Sequence, residues 1–526
     1  MSSAQCRNCI TQPNRLFTFS LRMCGQERET SDSKASVDVS VSHGRQYLRV
    51  NDLQKFTAQP QQQSQLKVGM ATKLTNLHPS IEERTAAGKA LRDRVSRKSQ
   101  GKWKPAANRP DPIELLKRAD EGRLPELLPI RYGRMSQSPF AFFRGAAALM
   151  AFDLSSTPAT GLRVQACGDC HIGNFGGFGS PERRLVFDIN DFDETSPAPW
   201  EWDVKRLATS VVLAARQNNF RERRCRDAAR HAVKSYREHM RKYARMRAID
   251  AWYSHLEANI LVREAKTGVE KKRWQEIEKK ARHETATQLL TQITYIHNGN
   301  RRIIDRPPLV YHPRDYTRKR KLVAEMFHRY LHTLPEDRKV LLQRYQVVDI
   351  ARKVIGVGSV GTRCAVMLLL ASDNDPLFLQ FKEAFPSVLE PYASKGKYSN
   401  YGERVVTGQR MLQSASDAFL GWTRDDENRC YYFRQLRDMK MKIDLSTMSQ
   451  DDFEEYIELC GWALARGHAR TGDPVKIGAY LGKSDSFDDA IEQFAVEYAD
   501  QTDHDYGLLK KAIRTGRLTA RTDIPT

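Results

Sequence analysis

Apolar residues recur along much of the chain at the three-to-four-residue spacing of amphipathic helices. The clearest case is Val204 to Arg216, where Val204, Leu207, Val211 and Ala215 fall on one helical face. The same pattern predicts further helices over residues 113–119, 139–154, 221–249, 251–269, 276–296, 320–334, 402–415, 451–470, 488–500 and 506–515. Many of these segments are strongly charged, which is typical of a solvated helix face.

The pattern changes to short apolar runs and tight turns in two regions. Between residues 164 and 193, short strands alternate with turns rich in glycine. Farther along, apolar runs predict five strands, at residues 347–355, 362–371, 377–383, 418–423 and 430–436. Together with the helices, these strands predict an α+β fold, with a large helical part and a small antiparallel β part.

The N-terminal region follows neither pattern. Residues 1–109 are rich in Ser, Gln, Arg and Lys and are predicted to form a mostly disordered basic leader. Residues 110–345 then form the helical part with the candidate catalytic and metal loops, and residues 346–445 form the β-rich part. Residues 446–526 are expected to be helices that pack back on the helical part.

Composition narrows the functional classes. The 85 Lys and Arg against 64 Asp and Glu give a net charge of +21, which is compatible with weak nonspecific nucleic-acid binding. A mean hydropathy of −0.61, the absence of a long apolar run and the lack of a signal-peptide layout predict a cytoplasmic protein without a membrane span. The Cys-x-x-Cys pairs Cys6/Cys9 and Cys167/Cys170 lie too far apart for an ordinary zinc site, so reduced thiols are expected. The sequence does not reveal an oligomeric state.

The first group of candidate chemical residues lies in the glycine-rich region. Asp169 is followed five positions later by Asn174 in the segment CGDCHIGN. On a short loop, such a carboxylate can meet a substrate hydroxyl while the amide oxygen coordinates a metal. The strand LVFDINDFDE then carries Asp188, Asp191 and Asp193, and clustered hard oxygen ligands suit Mg²⁺. The alternative is that these residues only form turns.

The second group is the segment Gly356-Val357-Gly358-Ser359-Val360-Gly361. A dinucleotide-binding turn of this form would need a helix directly after the glycines. The compact apolar run at residues 363–371 fits a strand better. Glycines between antiparallel strands indicate a flap over phosphates, with Gly356, Gly358, Ser359 and Gly361 as candidate nucleotide contacts.

The third predicted strand of this region carries Lys382 among alternating apolar residues. A lysine that points inward is costly unless it meets a phosphate or a carboxylate. Glu403, on the following predicted helix, is the candidate partner. The alternatives are an edge-strand charge for Lys382 and an ordinary exposed helix residue for Glu403.

Several motifs resemble the bacterial DUF2252 family, which is grouped with the protein-kinase-like fold near the aminoglycoside phosphotransferases. They are SPFAFFRG, CGDCHIGNFG, FDINDFDE, WEWDVKRLA, IGVGSVGTR, FRQLRDMK and LARGHARTGD, and the resemblance covers most of the chain after about residue 110. It implies that Asp169 is the catalytic-loop aspartate, Asn174 the metal-binding asparagine and Asp191 the metal aspartate, with Asp193 ranked second. It also implies that Asp203 braces the catalytic loop; simple N-capping of the following helix is the alternative.

Two features depart from the phosphotransferase pattern. Such enzymes usually have His before the Gly-Asp pair, where this chain has Cys167. The glycine motif also follows Asn174 by almost two hundred residues instead of preceding it. We therefore expect a two-lobed, kinase-like fold that is circularly permuted, a change that proteins tolerate where the joined ends lie close together.

These observations predict an ATP- and Mg²⁺-dependent phosphotransferase with an unidentified small-molecule or protein acceptor. Asp169 would accept the acceptor's proton, Asn174 and Asp191 would hold the metal, and Lys382 would contact the phosphates. The alternatives are a catalytically silent nucleotide-binding module and an AMP transferase on the same fold. Arg144, in SPFAFFRG, is expected to be a packed or salt-bridged helix residue, with phosphate binding as the alternative.

Overall fold

Six antiparallel strands in the later half of the chain form the largest sheet of the described residues, in the order Gly421–Arg424, Cys430–Gln435, Asp375–Ala384, Cys364–Ser372, Gln346–Lys353 and Val310–Tyr311. The computed structural model describes residues 79–257, 268–283, 285–394, 396–436, 439 and 443–524. The strands are β1 (Arg163–Ala166), β2 (Phe175–Gly179), β3 (Leu185–Ile189), β4 (Ser196–Pro199), β5 (Leu256–Glu257), β6 (Thr294–His297), β7 (Asn300–Ile303), β8 (Val310–Tyr311), β9 (Gln346–Lys353), β10 (Cys364–Ser372), β11 (Asp375–Ala384), β12 (Gly421–Arg424) and β13 (Cys430–Gln435).

Helices make up most of the remaining described structure. They are α1 (Ile81–Arg94), α2 (Pro112–Ala119), α3 (Leu128–Met135), α4 (Pro139–Gly145), α5 (Ala147–Leu154), α6 (Trp200–Gln217), α7 (Glu222–Tyr243), α8 (Ala248–Tyr253), α9 (Gly268–His283), α10 (Ala286–Ile293), α11 (Tyr316–Leu331), α12 (Glu336–Leu342), α13 (Tyr401–Leu412), α14 (Gln450–Thr471), α15 (Pro474–Leu481) and α16 (Ser486–Arg514). The protein is thus a mixed α+β structure with several small antiparallel sheets, as the sequence predicts.

Helices cover both faces of the large sheet. On one face, α11 contributes Tyr330, whose ring stacks on Phe433 of β13 at a centroid distance of 4.2 Å. On the other face, α10 contributes Leu290 to a cluster that includes Phe378 of β11. Burial on both faces explains why β10 and β11 are continuous apolar runs. Alternate strand residues share a face, so Lys382 lies on the same face of β11 as Phe378.

The largest core cluster contains helices that precede the strands of this sheet in the sequence and helices that follow them. Helices α6, α7, α14 and α16 contribute most of its helical residues. Trp200, at the start of α6, is fully buried and stacks parallel to Tyr236 of α7 at 5.8 Å. Two loops precede α6 in the chain: residues 167–174 join β1 to β2, and residues 190–195 join β3 to β4, which leads into α6. A firmly packed α6 therefore supports the loops that carry the candidate site.

The predicted leader is too long at its C-terminal end. Residues 81–94 form α1, which begins with a capping box between Ser80 and Glu83. Arg84 of this helix pairs with Asp473 at 2.6 Å, at the start of α15. These contacts order a segment whose polar composition resembles that of the preceding residues. Residues 1–78 of the predicted leader lie outside the described residues.

Other predicted elements differ in their boundaries. The predicted helix 139–154 is two helices interrupted at Ala146, and the predicted helices 488–500 and 506–515 are one continuous helix, α16. A polar stretch without proline does not stop a helix whose other face is buried. The predicted helix 251–269 was wrong at its start, because α8 ends at Tyr253 and β5 follows; residues 258–267 lie outside the described residues.

Candidate functional site

Helix α6 fixes the loop of residues 167–174 through hydrogen bonds to its backbone. The carboxylate of Asp203 accepts hydrogen bonds from the backbone N–H groups of Cys167 at 2.7 Å and Gly168 at 3.0 Å. Gly168 has a φ of +82°, a conformation that favours glycine. His468 Nε2 lies 3.2 Å from the same carboxylate. Asp203 therefore braces the loop, and it is not the N-cap of α6, whose N-cap is Pro199.

Asp169 is the third residue of this loop, and 19% of its side chain is exposed. Its Oδ1 accepts a hydrogen bond of 2.7 Å from Nε of Arg206, and its backbone carbonyl accepts one of 2.9 Å from the Asn174 amide. The sequence reasoning missed Arg206. Its position three residues after Asp203 was the available signal, because residues three apart share a helix face.

The three aspartates of the acidic strand end have different environments. Asp188 is fully buried and both of its oxygens lie 2.7 Å from Nη2 of Arg466, so it is a structural residue. Asp193 pairs with Lys382 and accepts a hydrogen bond of 2.7 Å from the Tyr432 hydroxyl. Asp191 has no ion pair among the described residues; its Oδ1 accepts only the Asp193 N–H, at 3.2 Å.

Asp191 and Asp193 differ in the direction in which their surroundings shift their pKa values. Burial raises the pKa of Asp191, and the negative charge of Asp193 raises it further. Burial also opposes the charge on Asp193, but the Lys382 ammonium outweighs it and lowers the pKa of that carboxyl below its usual value. Lys382 and Arg434 only partly offset these effects at Asp191, so its charge is the less compensated of the two, and its oxygens are suited to a cation.

The glycine segment joins β9 to β10, as predicted, and three arginines fix it. Arg131 donates to the carbonyls of Val357 at 3.1 Å and Gly358 at 3.0 Å. Arg134 donates to the carbonyl of Gly356 at 2.6 Å, and Arg123 donates to that of Val360 at 2.7 Å. Positive φ angles at Gly356 (+64°) and Gly361 (+93°) give the segment its shape. It is thus an anchored loop and differs from a free flap.

Lys382 is buried on β11, and its ammonium contacts both Asp193 and the Ser359 hydroxyl of the glycine segment. Burial opposes its charge, yet the two neighbouring aspartates raise the pKa of Lys382 above its usual value. The predicted pairing with Glu403 is absent from the described ion pairs. Arg404 of α13 is directed to this region instead, and it donates to the carbonyl of Asp193 at 2.7 Å. The helix begins after its N-cap Asn400, and this starting point determines which of its side chains face the region of Lys382.

These groups line one cavity of about 570 Å³. From the earlier part of the chain it includes Asp169, Asn174, Asp191 and Asp193, and from the later part Gly356, Gly358, Ser359 and Lys382. Gly361 and Glu403 do not line it. A second cavity, of about 390 Å³, lies between α11 and the large sheet and contains none of the predicted site residues.

Cys167 and Cys170, in the loop of residues 167–174, are buried free thiols. Sulfur atoms of Cys167 and Cys170 and a carboxylate oxygen of Asp203 lie within 4.8 Å of one another. Burial raises the pKa of both thiols, and metal binding requires thiolates. The oxygens of Asp203 already accept two N–H groups. These thiols therefore fit the expectation of reduced packing residues; Cys6 and Cys9 lie outside the described residues.

Comparisons with known proteins give a family but no described relative. The profile of the family described as "Uncharacterized protein conserved in bacteria (DUF2252)" matches residues 123–512. Searches of curated proteins and of solved structures each found no match. Among the described residues, no helix combines the length and the apolar character needed to cross a membrane.

Proposed function

The chain belongs to the DUF2252 family, and we propose that it is a kinase-like phosphotransferase that moves a phosphoryl group from ATP, with Mg²⁺, to a hydroxyl acceptor. One observation carries the proposal: two stretches almost two hundred residues apart meet in one cavity. One stretch supplies Asp169, Asn174 and Asp191, and the other supplies the glycine segment and Lys382. Each set alone is a weak motif, but their combination is what phosphoryl transfer requires.

The order of elements in the β part supports the kinase-like assignment. A glycine-rich connection lies between strands β9 and β10, a lysine lies on the next strand, and a helix and two further strands follow. Protein kinases have this order before their catalytic loop. Here the loop with Asp169 comes first in the chain, so we propose a circular permutation. The pairing of Lys382 with Asp193 departs from the kinase pattern, in which a glutamate of the following helix holds the lysine.

The proposed roles follow from the contacts. Asp169 has one oxygen paired with Arg206, and it accepts the proton of the acceptor hydroxyl. The side-chain nitrogen of Asn174 donates to the Asp169 backbone carbonyl. The side-chain oxygen of Asn174 is therefore available to a metal, together with the carboxylate of Asp191, which has no ion pair among the described residues. These oxygen donors fit Mg²⁺, which neutralises charge on phosphate oxygens when bound. Lys382 contacts the phosphates next to the glycine segment.

Mass spectrometry of acceptor mixtures tests this proposal. The protein is incubated with ATP, Mg²⁺ and a metabolite pool, and products are sought that have gained phosphate. Asp169→Asn is expected to abolish the product and to retain ATP binding, because the amide keeps the size and one oxygen of the carboxylate but cannot accept the proton as a base. Asp426→Asn, the same change at an exposed carboxylate, serves as the matched control.

The outcomes separate the alternatives. A product that has gained AMP assigns nucleotidyl transfer to the site. Binding of ATP without any product across acceptor classes, measured by thermal shift and ADP release, favours a silent nucleotide-binding module. Full turnover by Asp169→Asn contradicts the proposed role of Asp169.

A further inference from the structure

Arg144 is a half-buried cation at the cavity with no anionic partner among the described residues. It lies near the end of α4, where the sequence predicted a packed or salt-bridged residue. Its Nε is buried without a hydrogen-bond partner. Its guanidinium lies over the ring of Phe140, 5.9 Å from the ring centroid. Packing is thus present, but the ion pair is not.

Four other arginines near the site that are removed from water have acceptors. Arg206 is paired with Asp169, Arg131 with Asp120, and Arg134 with the carbonyl of Gly356. Arg123 donates to the carbonyl of Val360. A guanidinium that is partly removed from water without such acceptors is costly. Burial accordingly lowers the pKa of Arg144, and the charges of Asp169 and Asp191 only partly offset this.

The position of Arg144 joins the two halves of the site. Its Nε lies 3.8 Å from the point where a side chain on Gly173 would begin, in the loop that carries Asp169. Its backbone carbonyl lies 3.2 Å from the equivalent point on Gly358, in the glycine segment. Arg144 therefore lies where the loop that carries Asp169 meets the glycine segment, with its guanidinium on the side of that loop.

From these observations we infer that Arg144 binds the terminal phosphoryl group of the nucleotide. This inference rests on the proposed function. In the transfer, the acceptor oxygen forms a bond to the terminal phosphorus while the bond from that phosphorus to the ADP oxygen breaks, and the acceptor proton passes to Asp169. A planar guanidinium binds two phosphate oxygens at once and offsets the charge that develops on them.

Calorimetric titration with ATP and with ADP tests the assignment. For Arg144→Gln, ATP affinity is expected to fall about 10- to 100-fold, the range for losing a charged hydrogen bond, while ADP affinity stays unchanged. Arg144→Lys keeps the charge without the planar fork and is expected to recover part of the loss. Arg247→Gln, at an arginine whose side chain is 81% exposed and lies outside the lining of the cavity, is the matched control and is expected to treat both nucleotides as the wild type does.

Each outcome is decisive. Equal losses for ATP and ADP, or no loss for either, overturn the inference and leave the proposed function standing. Wild-type protein that binds neither nucleotide overturns the proposed function itself. If Arg144→Gln does not fold, the comparison of ATP with ADP is made on Arg144→Lys, where a selective loss for ATP supports the inference and an equal one contradicts it.

Discussion

Asp188 and Asp191 are three positions apart in one short segment, yet their surroundings give them opposite effects on stability. Asp188 is fully buried against Arg466. Asp191 is partly buried, has no ion pair among the described residues and lies close to the charge of Asp193, which Lys382 and Arg434 only partly offset. Removing one partner of such a buried pair leaves the other charge uncompensated and destabilises the fold, whereas removing a buried charge that has no ion pair relieves a cost. Uncompensated charge at a cavity is frequent at functional sites.

We predict that Asp191→Asn stabilises the protein and, on the proposed function, abolishes Mg²⁺-dependent phosphoryl transfer. The free energy of unfolding at pH 7 should rise by an amount on the order of 1 kcal/mol, the scale of ordinary substitutions. An acid whose pKa is raised by folding favours the folded state when protonated. The advantage of the variant should therefore shrink as the pH falls through the raised pKa of Asp191 and wild-type Asp191 takes up its proton. Urea unfolding over a pH series measures this.

Asp188→Asn is the matched control for that experiment. Removal of one partner from a buried pair leaves the Arg466 charge uncompensated, and this should cost roughly 3–5 kcal/mol. A stabilised Asp188→Asn or a strongly destabilised Asp191→Asn would contradict the division of roles between these two carboxylates.

At the scale of elements, α6 links the core to the loop of residues 167–174. Trp200 anchors the helix in the core, and Asp203 and Arg206, one turn apart, contact the loop at Cys167 and Asp169. The helix thus orients Asp169 through two contacts of different kinds. One holds the backbone, and the other holds the carboxylate.

We predict that Asp203→Ala separates catalysis from nucleotide binding. The variant leaves two buried N–H groups without acceptors, which should cost about 1–3 kcal/mol each and loosen the loop that carries Asp169. Turnover should fall strongly while the Kd for ATP stays unchanged, because the glycine segment and Lys382 do not touch Asp203. The measurement is kcat alongside calorimetric Kd, with Asp489→Ala at an exposed position as the control. Parallel losses in kcat and Kd would argue against a bracing role.

The sequence could predict the elements of the β part because their strands are buried on both faces and read as apolar runs. Of the residues it singled out, those near turns such as Asp169, Asn174 and Asp191 line one cavity, whereas Gly361 and Glu403 do not line it. It could not predict the partner of Lys382. Whether Glu403 or Arg404 faces the site depends on the residue at which α13 begins. Its N-cap Asn400 fixes that starting point. The anchoring of the glycine segment by Arg131 and Arg134 was equally hidden, because those contacts span more than two hundred residues.

At the scale of the whole molecule, the excess positive charge is not concentrated in the leader. Residues 1–78 contain ten Lys and Arg against five Asp and Glu, out of totals of 85 and 64. Most of the net charge therefore belongs to residues 79–526, the unit that the structure describes in large part.

We predict that deletion of residues 1–78 weakens retention on heparin without abolishing it. Electrostatic binding to polyanions follows the number of charges neutralised and decreases with salt. The truncated protein should elute at a lower salt concentration than the full chain and still bind at low salt. Complete loss of retention on truncation would instead assign polyanion binding to the leader.

The contact between Lys382 and Asp193 joins residues 189 positions apart. During synthesis, the segment with Asp169 and Asp191 leaves the ribosome long before the strand that carries Lys382. The nascent chain therefore lacks the complete cavity until most of the protein has been made, and a fragment that ends before β11 lacks it permanently. The chain order thus delays assembly of the cavity until late in translation.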